Sequence, residues 1–307
     1  MQSPADPTRP PEQSAPTRRL VLFGANGRLG SAVASTASNL RWRVTAIPWR
    51  IARNWRDDAA LPAIAALIGK EATADDPVDV VFACGLTDPS APAQDLMFSN
   101  AELVERVIVA TGTERIGRYL TFGTIMEHVP AMVAGNPYIA SKKKIATRLA
   151  ELGKTPLYRN RITHLRMHTL YGGRPSPHMF LGQLCAALER NTPFAMSHGH
   201  QLREYHHVAD VARSVIRLLD RKSDVGIAID LSSANPVTLR ELATKVFEAF
   251  DRRQLLEMDR LAAPAGEEYV RPMRRSADWL IGRSRDPVPG IIDWLAELLE
   301  RRPTGPV

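Results

Sequence analysis

The sequence predicts an α/β fold built around a doubly wound parallel sheet, with a smaller lobe formed by the C-terminal part of the chain. Short apolar runs alternate with segments of helical periodicity in the first part of the sequence. The run at residues 78–84 is mostly apolar, as expected for a strand buried on both faces. The chain has 307 residues, 44% of them hydrophobic and 24% charged, which is enough to bury a large core.

The alternation of strands and helices is clearest before residue 171. We predict strands at residues 18–23, 43–47, 78–84, 119–122 and 162–165. We predict helices at residues 29–40, 61–68, 101–110 and from residue 137 onward. Because strands and helices alternate, we expect right-handed crossovers and a parallel sheet of the Rossmann type.

The pattern becomes less regular after residue 171. We predict strands at residues 204–208 and 227–231, and helices at residues 179–188, 209–219, 238–250 and 291–299. Thr238 is the expected cap of the helix that follows it.

Four regions follow from this pattern and from composition. They are a disordered arm at residues 1–17, a Rossmann domain at 18–172, a mainly substrate-binding lobe at 173–301 and a flexible tail at 302–307. The arm contains five prolines among polar residues, a composition that cannot bury a core. Some segments of the lobe are expected to return to the main sheet.

Composition also excludes several classes of protein. No apolar run approaches the ~20 residues that span a bilayer, and the N-terminus lacks the apolar segment of a secretory signal. The two cysteines, Cys84 and Cys185, give no disulfide framework, and their apolar surroundings predict buried packing. We therefore expect a protein of the reducing cytoplasm, with no membrane partner.

The net charge of +7 favours an anionic small-molecule ligand. Nucleic acid is not expected as a partner, because the basic residues are scattered and form no dense run. Four histidines lie close together in the sequence, at positions 198, 200, 206 and 207. No cysteine or carboxylate completes a metal-ligand spacing with them, so we predict no metal site.

A glycine triplet follows the first predicted strand and opens the first predicted helix. Gly24 permits a tight turn, Gly27 lets the backbone approach a pyrophosphate, and Gly30 lets the helix pack closely on the strand. The helix N-terminus presents free N–H groups to phosphate oxygens. This context predicts a dinucleotide-binding loop.

The end of the second predicted strand bears on which dinucleotide binds. Sites that prefer NAD usually place an acid there, to hold the ribose hydroxyls. This chain instead has Pro48-Trp49-Arg50, with Arg53 close behind. A guanidinium suits a 2′-phosphate, so we expect NADP(H) to be favoured over NAD(H).

Tyr138 and Lys142 are four residues apart in a predicted helix and therefore lie on one face. Free tyrosine titrates near pH ~10, and a neighbouring ammonium favours the phenolate and lowers that pKa. Downstream of a dinucleotide loop, this pair indicates hydride chemistry on a carbonyl or carbinol.

These motifs together resemble the extended short-chain dehydrogenase/reductase family, specifically its NAD-dependent epimerase/dehydratase group acting on nucleotide sugars. The resemblance runs from about residue 19 to about residue 299. It also rests on Asn100, on residues 121–124, on Leu165-Arg166 followed by Tyr171-Gly172, and on residues 203–211. The last segment resembles the family's R-D-F/Y-hydrophobic-H-V-x-D pattern.

The resemblance implies roles for individual residues. Thr124 matches the catalytic Ser/Thr that hydrogen-bonds the reacting oxygen, Tyr138 the acid/base, and Lys142 the residue that holds the nicotinamide ribose. Arg203 resembles an arginine that grips the substrate diphosphate, and Thr169 and His128 are further candidate substrate contacts. The expected cofactor-binding residues are Gly24, Asn26, Gly27, Arg28, Leu29, Gly30, Arg50, Ala83, Cys84, Gly85, Asn100, Tyr138 and Lys142. A homodimer is also expected from the resemblance.

Departures from the family pattern bear on the reaction. Residues 126–128 replace the family's valine-tyrosine-glycine, and Ile125 and Met126 stand where 4,6-dehydratases carry an Asp-Glu pair, which disfavours dehydration. We expect NADPH-dependent reduction of a nucleotide-linked 4-keto sugar. A 4-epimerase that retains NAD would use the same three catalytic residues, and a non-catalytic NADP-binding member of the family is a second alternative.

Overall fold

The computed structural model describes residues 18–72, 77–221, 224–263 and 274–300. The arm predicted at residues 1–17 and the tail predicted at 302–307 lie outside these ranges. The strands are β1 (Arg19–Phe23), β2 (Arg43–Ile47), β3 (Val78–Phe82), β4 (Ile116–Thr124), β5 (Ile162–Met167), β6 (Thr169–Tyr171), β7 (Phe194–Ala195), β8 (Leu202–Arg203), β9 (Tyr205–His207), β10 (Ala228–Asp230), β11 (Val237–Thr238) and β12 (Leu256–Glu257).

Helices cover the sheet and form much of the C-terminal part. They are α1 (Arg28–Asn39), α2 (Trp49–Ala52), α3 (Leu61–Gly69), α4 (Ala93–Met97), α5 (Leu103–Thr111), α6 (Pro130–Gly135), α7 (Pro137–Gly153), α8 (Phe180–Arg190), α9 (Val208–Asp220), α10 (Leu239–Ala249), α11 (Asp278–Ile281) and α12 (Pro287–Glu300). Segments of 3-10 helix occur at Asp58–Ala60, Ile125–His128 and Arg253–Leu255, and a π-helical segment at Phe98–Glu102.

The central sheet has six parallel strands in the order β2-β1-β3-β4-β5-β10. The predicted doubly wound α/β fold is therefore confirmed. The chain leaves β1 towards β2 and returns on the other side of β1 as β3, so a crevice opens between the ends of β1 and β3. Ligands bind at such a switch point, beyond the carboxyl ends of the strands.

Apolar side chains on both faces of the sheet explain why it is buried between helices. Along β1, Val21 and Phe23 enter one core cluster, whereas Leu20 and Leu22 enter the other. Helices α3, α5 and α7 contribute to the first cluster, and α1, α9 and α11 to the second. A third cluster joins α8, α10 and α12 in the C-terminal part. Strand β10, which also comes from that part, pairs with β5 and completes the sheet.

The helix predicted at residues 101–110 begins earlier than expected. Helices α4 and α5 are joined through the π-helical segment, so the chain is helical from Ala93 to Thr111. Asn100, the residue before the predicted start of the helix, lies inside this π-helical segment. Such segments change the direction of side chains within a helix and occur often at functional sites.

Within the described ranges, no helix is long and apolar enough to cross a membrane. The same ranges contain no group of three or more His, Cys, Asp or Glu side chains that could hold a metal ion. The four histidines near residue 200 do not converge: His198 and His200 stack on each other, while His206 hydrogen-bonds Glu204.

Candidate active site

The glycine loop lies at the crevice between β1 and β3, where the sequence placed it. Gly24 has a positive φ of 79°, and a Cβ there would come within 2.5 Å of the Cys84 backbone nitrogen. A Cβ on Gly30 would come within 2.0 Å of the Gly24 carbonyl oxygen. The Gly27 N–H donates to the same carbonyl at 2.9 Å, and Gly27 then caps α1. The turn is thus tight enough to direct the α1 N-terminus at the crevice.

The residues that follow Gly24 take different positions around the loop. Asn26 is exposed, whereas the Leu29 side chain is buried in the core, so Leu29 can reach a ligand only through its backbone. Arg28 spans the cleft: its Nη1 donates to the Leu170 carbonyl at 3.1 Å. Burial lowers the pKa of Arg28 from its usual value.

Arg50 lies in α2, directly after β2. Its side chain is exposed, and so is the side chain of its neighbour Trp49, whose ring lies 6.0 Å from that of Phe98. Because β2 and β1 are adjacent and parallel, Arg50 and the glycine loop lie at the same edge of the sheet. The first residue after β2 is Pro48, and no acid precedes Asp57 in this connection.

The segment after β3 forms the opposite wall of the crevice. A Cβ on Gly85 would come within 2.2 Å of Asn100 Oδ1. Asn100 Nδ2 donates to the Leu86 carbonyl at 2.9 Å and to Ser141 Oγ at 3.0 Å, whereas its Oδ1 is buried and has no hydrogen-bond partner in the described part of the chain. An acceptor without a partner, beside a glycine cradle, fits a dinucleotide that brings donors of its own.

Cys84 follows Ala83 in this wall and is half-buried, in contrast to Cys185, which is buried as expected. Burial raises the pKa of the Cys84 thiol to about 11, although the positive charge of Lys142 acts in the opposite direction. The group is therefore a thiol at neutral pH and not a reactive thiolate.

Thr124, Tyr138 and Lys142 come from two neighbouring elements, β4 and α7. Thr124 ends β4, and its hydroxyl accepts from the Met126 N–H at 3.3 Å. Asn136 caps α7, accepting from the Tyr138 and Ile139 N–H groups at 3.0 and 3.2 Å. The cap starts the helix so that Tyr138 and Lys142 share one face.

Lys142 connects α7 back to β4. It is 8% exposed, and its Nζ donates to the Phe122 carbonyl at 3.0 Å. Burial lowers the pKa of Lys142, while the negative charge of Glu127 acts in the opposite direction.

The pKa of Tyr138 moves against our expectation. Burial raises it to about 12, and the negative charge of Glu127 raises it further in the same direction. We expected Lys142 to lower this pKa, but the two causes that act on the half-buried phenol, desolvation and the Glu127 charge, both raise it. The protein groups alone therefore hold Tyr138 in its protonated form.

The candidate substrate residues lie on the far side of the cleft, beyond β5. Thr169 opens β6, which pairs with β9, and its N–H donates to the Glu204 carbonyl at 3.1 Å. Arg203 is half-buried on β8, which pairs with β11, and its Nη1 donates to the Leu202 carbonyl at 2.9 Å. Both residues thus sit on the short strands that flank the carboxyl edge of the main sheet.

His128 is held by other protein groups. Its Nε2 lies 3.2 Å from Asp230 Oδ1, and that oxygen also accepts from Arg166 Nε at 2.5 Å. With 22% of its side chain exposed, His128 can present only one edge to the cleft. Sequence reasoning missed Asp230, because it lies 102 residues from His128 along the chain.

Glu204 is a buried carboxylate. The sequence placed it in the motif at residues 203–211 but gave no sign of its structural role. It is 3% exposed and accepts from Ser232 Oγ at 2.8 Å, Ser233 Oγ at 2.7 Å and His206 Nε2 at 2.8 Å. Burial alone would raise the pKa of Glu204, but the hydrogen bonds from His206 and Ser233 outweigh it and lower the pKa to about 2. Glu204 is therefore ionised and joins β9 to the segment after β10.

His168 completes this buried group. Its Nε2 lies 3.4 Å from Glu204 Oε2 without hydrogen-bond geometry, and its ring stacks on that of His206 at 5.9 Å. Burial lowers the pKa of His168 to about 4, so the imidazole is neutral at neutral pH. His168 is therefore a packed, neutral histidine whose Nε2 has no hydrogen-bond partner among the described residues.

Fold and crevice together define a dinucleotide-binding enzyme. The model of the NAD dependent epimerase/dehydratase family matches residues 20–230, more than half of the chain, and the protein belongs to this family. Its members are nicotinamide-dependent enzymes, as the resemblance of the motifs implied. No curated protein sequence is significantly similar to this chain.

Solved structures show the same fold at low sequence identity. UDP-N-acetylglucosamine 4-epimerase from Bacillus cereus is 16% identical, with a TM-score of 0.69 over 93% of this chain and 100% of that one. RMD from Pseudomonas aeruginosa, solved with NADPH, is 15% identical, with a TM-score of 0.71 over 92% of this chain and 98% of that one. The NAD-dependent NDP-hexosamine 5,6-dehydratase TunA is 16% identical, with a TM-score of 0.65 over 92% and 97%.

Proposed function

We propose that this protein reduces a nucleotide-linked 4-keto sugar with NADPH. The observation that carries the proposal is the exposed Arg50, three residues after the end of β2, in a connection that has no acid before Asp57 to hold the ribose hydroxyls of NAD. The solved structure of RMD with NADPH shows that this fold accommodates the phosphorylated cofactor. A nucleotide sugar is proposed as substrate because family members with solved structures carry such molecules, UDP-glucose among them.

The residues of the crevice would hold the cofactor along its length. The glycine loop and the α1 N-terminus would bind the pyrophosphate, Arg50 the 2′-phosphate, and Lys142 with Asn100 the nicotinamide end. When bound, the cofactor supplies the hydride. In this arrangement Thr124 orients the substrate oxygen through its hydroxyl, and Tyr138 donates a proton to the alkoxide as it forms.

The protonation state of Tyr138 supports reduction. With its pKa raised to about 12, the phenol keeps its proton at neutral pH and is in the form that a proton donor requires, although it is a weaker acid than free tyrosine. An oxidising step would need the phenolate as base, and the protein groups disfavour that form.

The segment after Thr124 argues against dehydration. Ile125 is 3% exposed and has no titratable group, and Met126 follows it. Glu127 is 2% exposed and accepts from the Thr124 N–H, so its carboxylate faces the protein interior. No acid/base pair is therefore available at the positions where a 4,6-dehydratase would need one.

We propose that substrate binds near Arg203 and Thr169, because of where these two residues lie. A guanidinium suits phosphate oxygens, and Arg203 lies on a short strand beyond the sheet edge that carries Thr124. We propose that residues 18–172 bind the cofactor and that residues 173–301 bind mainly substrate. A homodimer in the cytoplasm is part of the same proposal, on the family resemblance and the absence of a disulfide framework.

Turnover with NADPH and a panel of nucleotide-linked 4-keto sugars tests the function. We expect NADPH oxidation with at least one of them, reduced at least 100-fold in Tyr138→Phe, since general acid catalysis contributes roughly 10²–10⁴-fold. Tyr158→Phe, which removes a hydroxyl from the loop after α7, serves as the matched control and should keep full activity. NAD that stays bound through purification, with interconversion of epimers and no net NADPH oxidation, would favour the epimerase instead.

A further inference from the structure

One arginine of the glycine loop reaches across the cleft towards the substrate side. Arg28 is the first residue of α1, and its Nη1 donates to the Leu170 carbonyl of β6 at 3.1 Å. The side chain is half-buried along this path, and a Cβ on Gly173 would come within 3.3 Å of Arg28 Cγ. Arg28 therefore connects the crevice between β1 and β3 with the strand that follows β5.

The charge of Arg28 is not balanced by the protein. Burial lowers the pKa of Arg28, and within the described ranges no carboxylate acts in the opposite direction. The residue also stands at the N-terminus of α1, where Gly27 offers no side-chain cap and the first turn has no acid. A helix N-terminus carries partial positive charge, so a cation there is unfavourable until an anion arrives. The guanidinium and the helix end together are suited to a pyrophosphate.

A guanidinium can bond two acceptors at once. It carries several N–H donors in a planar fork, and Arg28 uses Nη1 for the Leu170 carbonyl. Arg28 also supplies one of the free backbone N–H groups of the first turn of α1. A phosphate bound by that turn would therefore lie beside the Arg28 side chain. The same guanidinium can then contact a phosphate oxygen and keep its bond to β6.

Strand β6 leads to both candidate substrate residues. Thr169 immediately precedes Leu170, and the Thr169 N–H donates to the Glu204 carbonyl at 3.1 Å. Along its length β6 pairs with β9, where Leu170 lies opposite His206. Arg203 immediately precedes Glu204 in the chain. The placement of β6 thus determines the placement of Thr169 directly and that of Arg203 through Glu204.

We propose that Arg28 is a positioning residue that couples the two sides of the cleft: it holds the Leu170 carbonyl and the pyrophosphate of a bound nicotinamide cofactor together, so that cofactor binding fixes β6. The inference rests on the proposed function, in which Thr169 and Arg203 contact the substrate. Without cofactor, the bond to a neutral carbonyl leaves the charge of the guanidinium unbalanced. Phosphate oxygens balance that charge and stabilise the guanidinium against β6. The substrate side is thereby completed after the cofactor has bound.

Hydrogen exchange of the full-length protein tests this coupling without any substrate. Mass spectrometry follows the amides of the glycine loop and of β6, with and without saturating NADPH, and again with NADH. In the unmodified chain we expect the cofactor to slow exchange at both places. At β6 the expected effect is about tenfold, because a charge-assisted contact suppresses local opening of the strand.

Arg28→Met is the decisive variant. It keeps an unbranched stem beside Gly173 but has no donor for the Leu170 carbonyl or for phosphate. With saturating cofactor its glycine loop should still be protected, whereas the exchange of β6 should change by less than about twofold. A purely structural role of Arg28 would alter β6 exchange equally with and without cofactor. The ratio of those two rates is therefore the readout.

Two further variants complete the comparison. Arg190→Met is the matched control, since it removes an exposed arginine at the end of α8 and should behave as the unmodified chain does. Arg28→Lys keeps the charge but has an ammonium in place of the fork. It should bind the cofactor and protect β6 less than Arg28 does, and it decides the outcome where Arg28→Met cannot be saturated.

The outcomes separate this inference from the proposed function. Equal protection of β6 by the cofactor in Arg28→Met and in the unmodified chain would overturn the inference, and so would a protected glycine loop without any effect at β6. Absence of protection at the glycine loop with either nucleotide would overturn the inference together with the cofactor assignment. Protection of β6 that depends on Arg28, without turnover on any keto sugar, would support the inference and refute the reductase.

Discussion

The two walls of the cleft are built by different means. At the crevice between β1 and β3, backbone segments approach so closely that side chains are excluded, as at Gly24 and Gly30. Beyond β5, the wall is held by buried charged and polar side chains, with Glu204 at the centre. The proposed cofactor side therefore depends on steric requirements within one short segment, whereas the proposed substrate side depends on partners distant in sequence.

The largest expected effect lies on the substrate side. Replacing Glu204 with Ala leaves the buried donors of His206 and Ser232, and the half-buried donor of Ser233, without this acceptor, and we expect a loss of ~3 kcal/mol or more in the free energy of unfolding. Urea denaturation measures it. Glu248→Ala, which removes an exposed ion pair with Lys245, should cost under ~1 kcal/mol. Similar losses in both variants would remove the distinction between the two walls.

The cofactor side is tested by adding one methyl group. A Cβ on Gly30 would meet the Gly24 carbonyl at 2.0 Å, so Gly30→Ala should destabilise the protein by ~2–3 kcal/mol and weaken binding of the cofactor. Gly69→Ala is the control, because a Cβ at the end of α3 meets nothing within 4 Å. That variant should be neutral or slightly more stable. Calorimetry with and without NADPH compares the two, and unimpaired cofactor binding by Gly30→Ala would contradict a closely packed loop.

The residues of the glycine loop and those around Glu204 differ in how far the sequence predicted them. The glycine loop, the sheet strands and the capped helix at Thr238 could be predicted, because each depends on residues close together in the chain. Glu204 bonds Ser232 and Ser233 from 28 and 29 residues away, and His128 meets Asp230 from 102 residues away. Such contacts exist only once β5, β9 and β10 are in place, so no local pattern indicates them.

The start of the helix around Asn100 was predicted wrongly for a different reason. Its first segment, Ala93–Met97, follows a proline-containing loop and has only five residues, too few to show helical periodicity, so the start was placed too late. The direction of the Tyr138 pKa shift was also predicted wrongly. Spacing along α7 identifies Lys142, but it indicates neither the burial of the phenol nor the influence of the Glu127 charge.

The buried histidine of the substrate side should make stability depend on pH. The pKa of His168 is lowered to about 4 from an ordinary value of 6.5, so the unfolded chain binds the proton more readily. Its contribution to stability is present above pH 6.5 and is lost as pH falls towards 4, by ~3 kcal/mol. Asp79 acts in the opposite direction. Its pKa is raised to about 6 in the folded chain, so its protonation below that pH stabilises the fold as pH falls.

A comparison with His168→Gln isolates this contribution from that of Asp79. Free energies of unfolding measured between pH 7 and pH ~4 should fall less steeply in the variant than in the unmodified chain. Parallel curves would show that His168 does not titrate differently in the folded and unfolded states.

The smallest expected effect concerns a surface cap in the C-terminal part. Thr238 Oγ1 accepts from the Glu241 N–H at 3.0 Å at the start of α10. Thr238→Ala should cost ~1 kcal/mol, well below the Glu204 variant. Thr238→Ser, which keeps the hydroxyl, should restore most of the loss in thermal unfolding, and failure to do so would assign the effect to packing of the methyl group.

The proposal as a whole depends most directly on Arg50. Dissociation constants for NADPH and NADH, measured on the unmodified chain and on Arg50→Ala, test it without any substrate. We expect binding of NADPH to weaken about tenfold or more through loss of a charge-assisted contact to the 2′-phosphate. NADH binding should change little, and Arg190→Ala, an exposed arginine at the end of α8, should affect neither. Equal losses for the two cofactors in Arg50→Ala, or tighter binding of NADH than NADPH by the unmodified chain, would contradict the assignment.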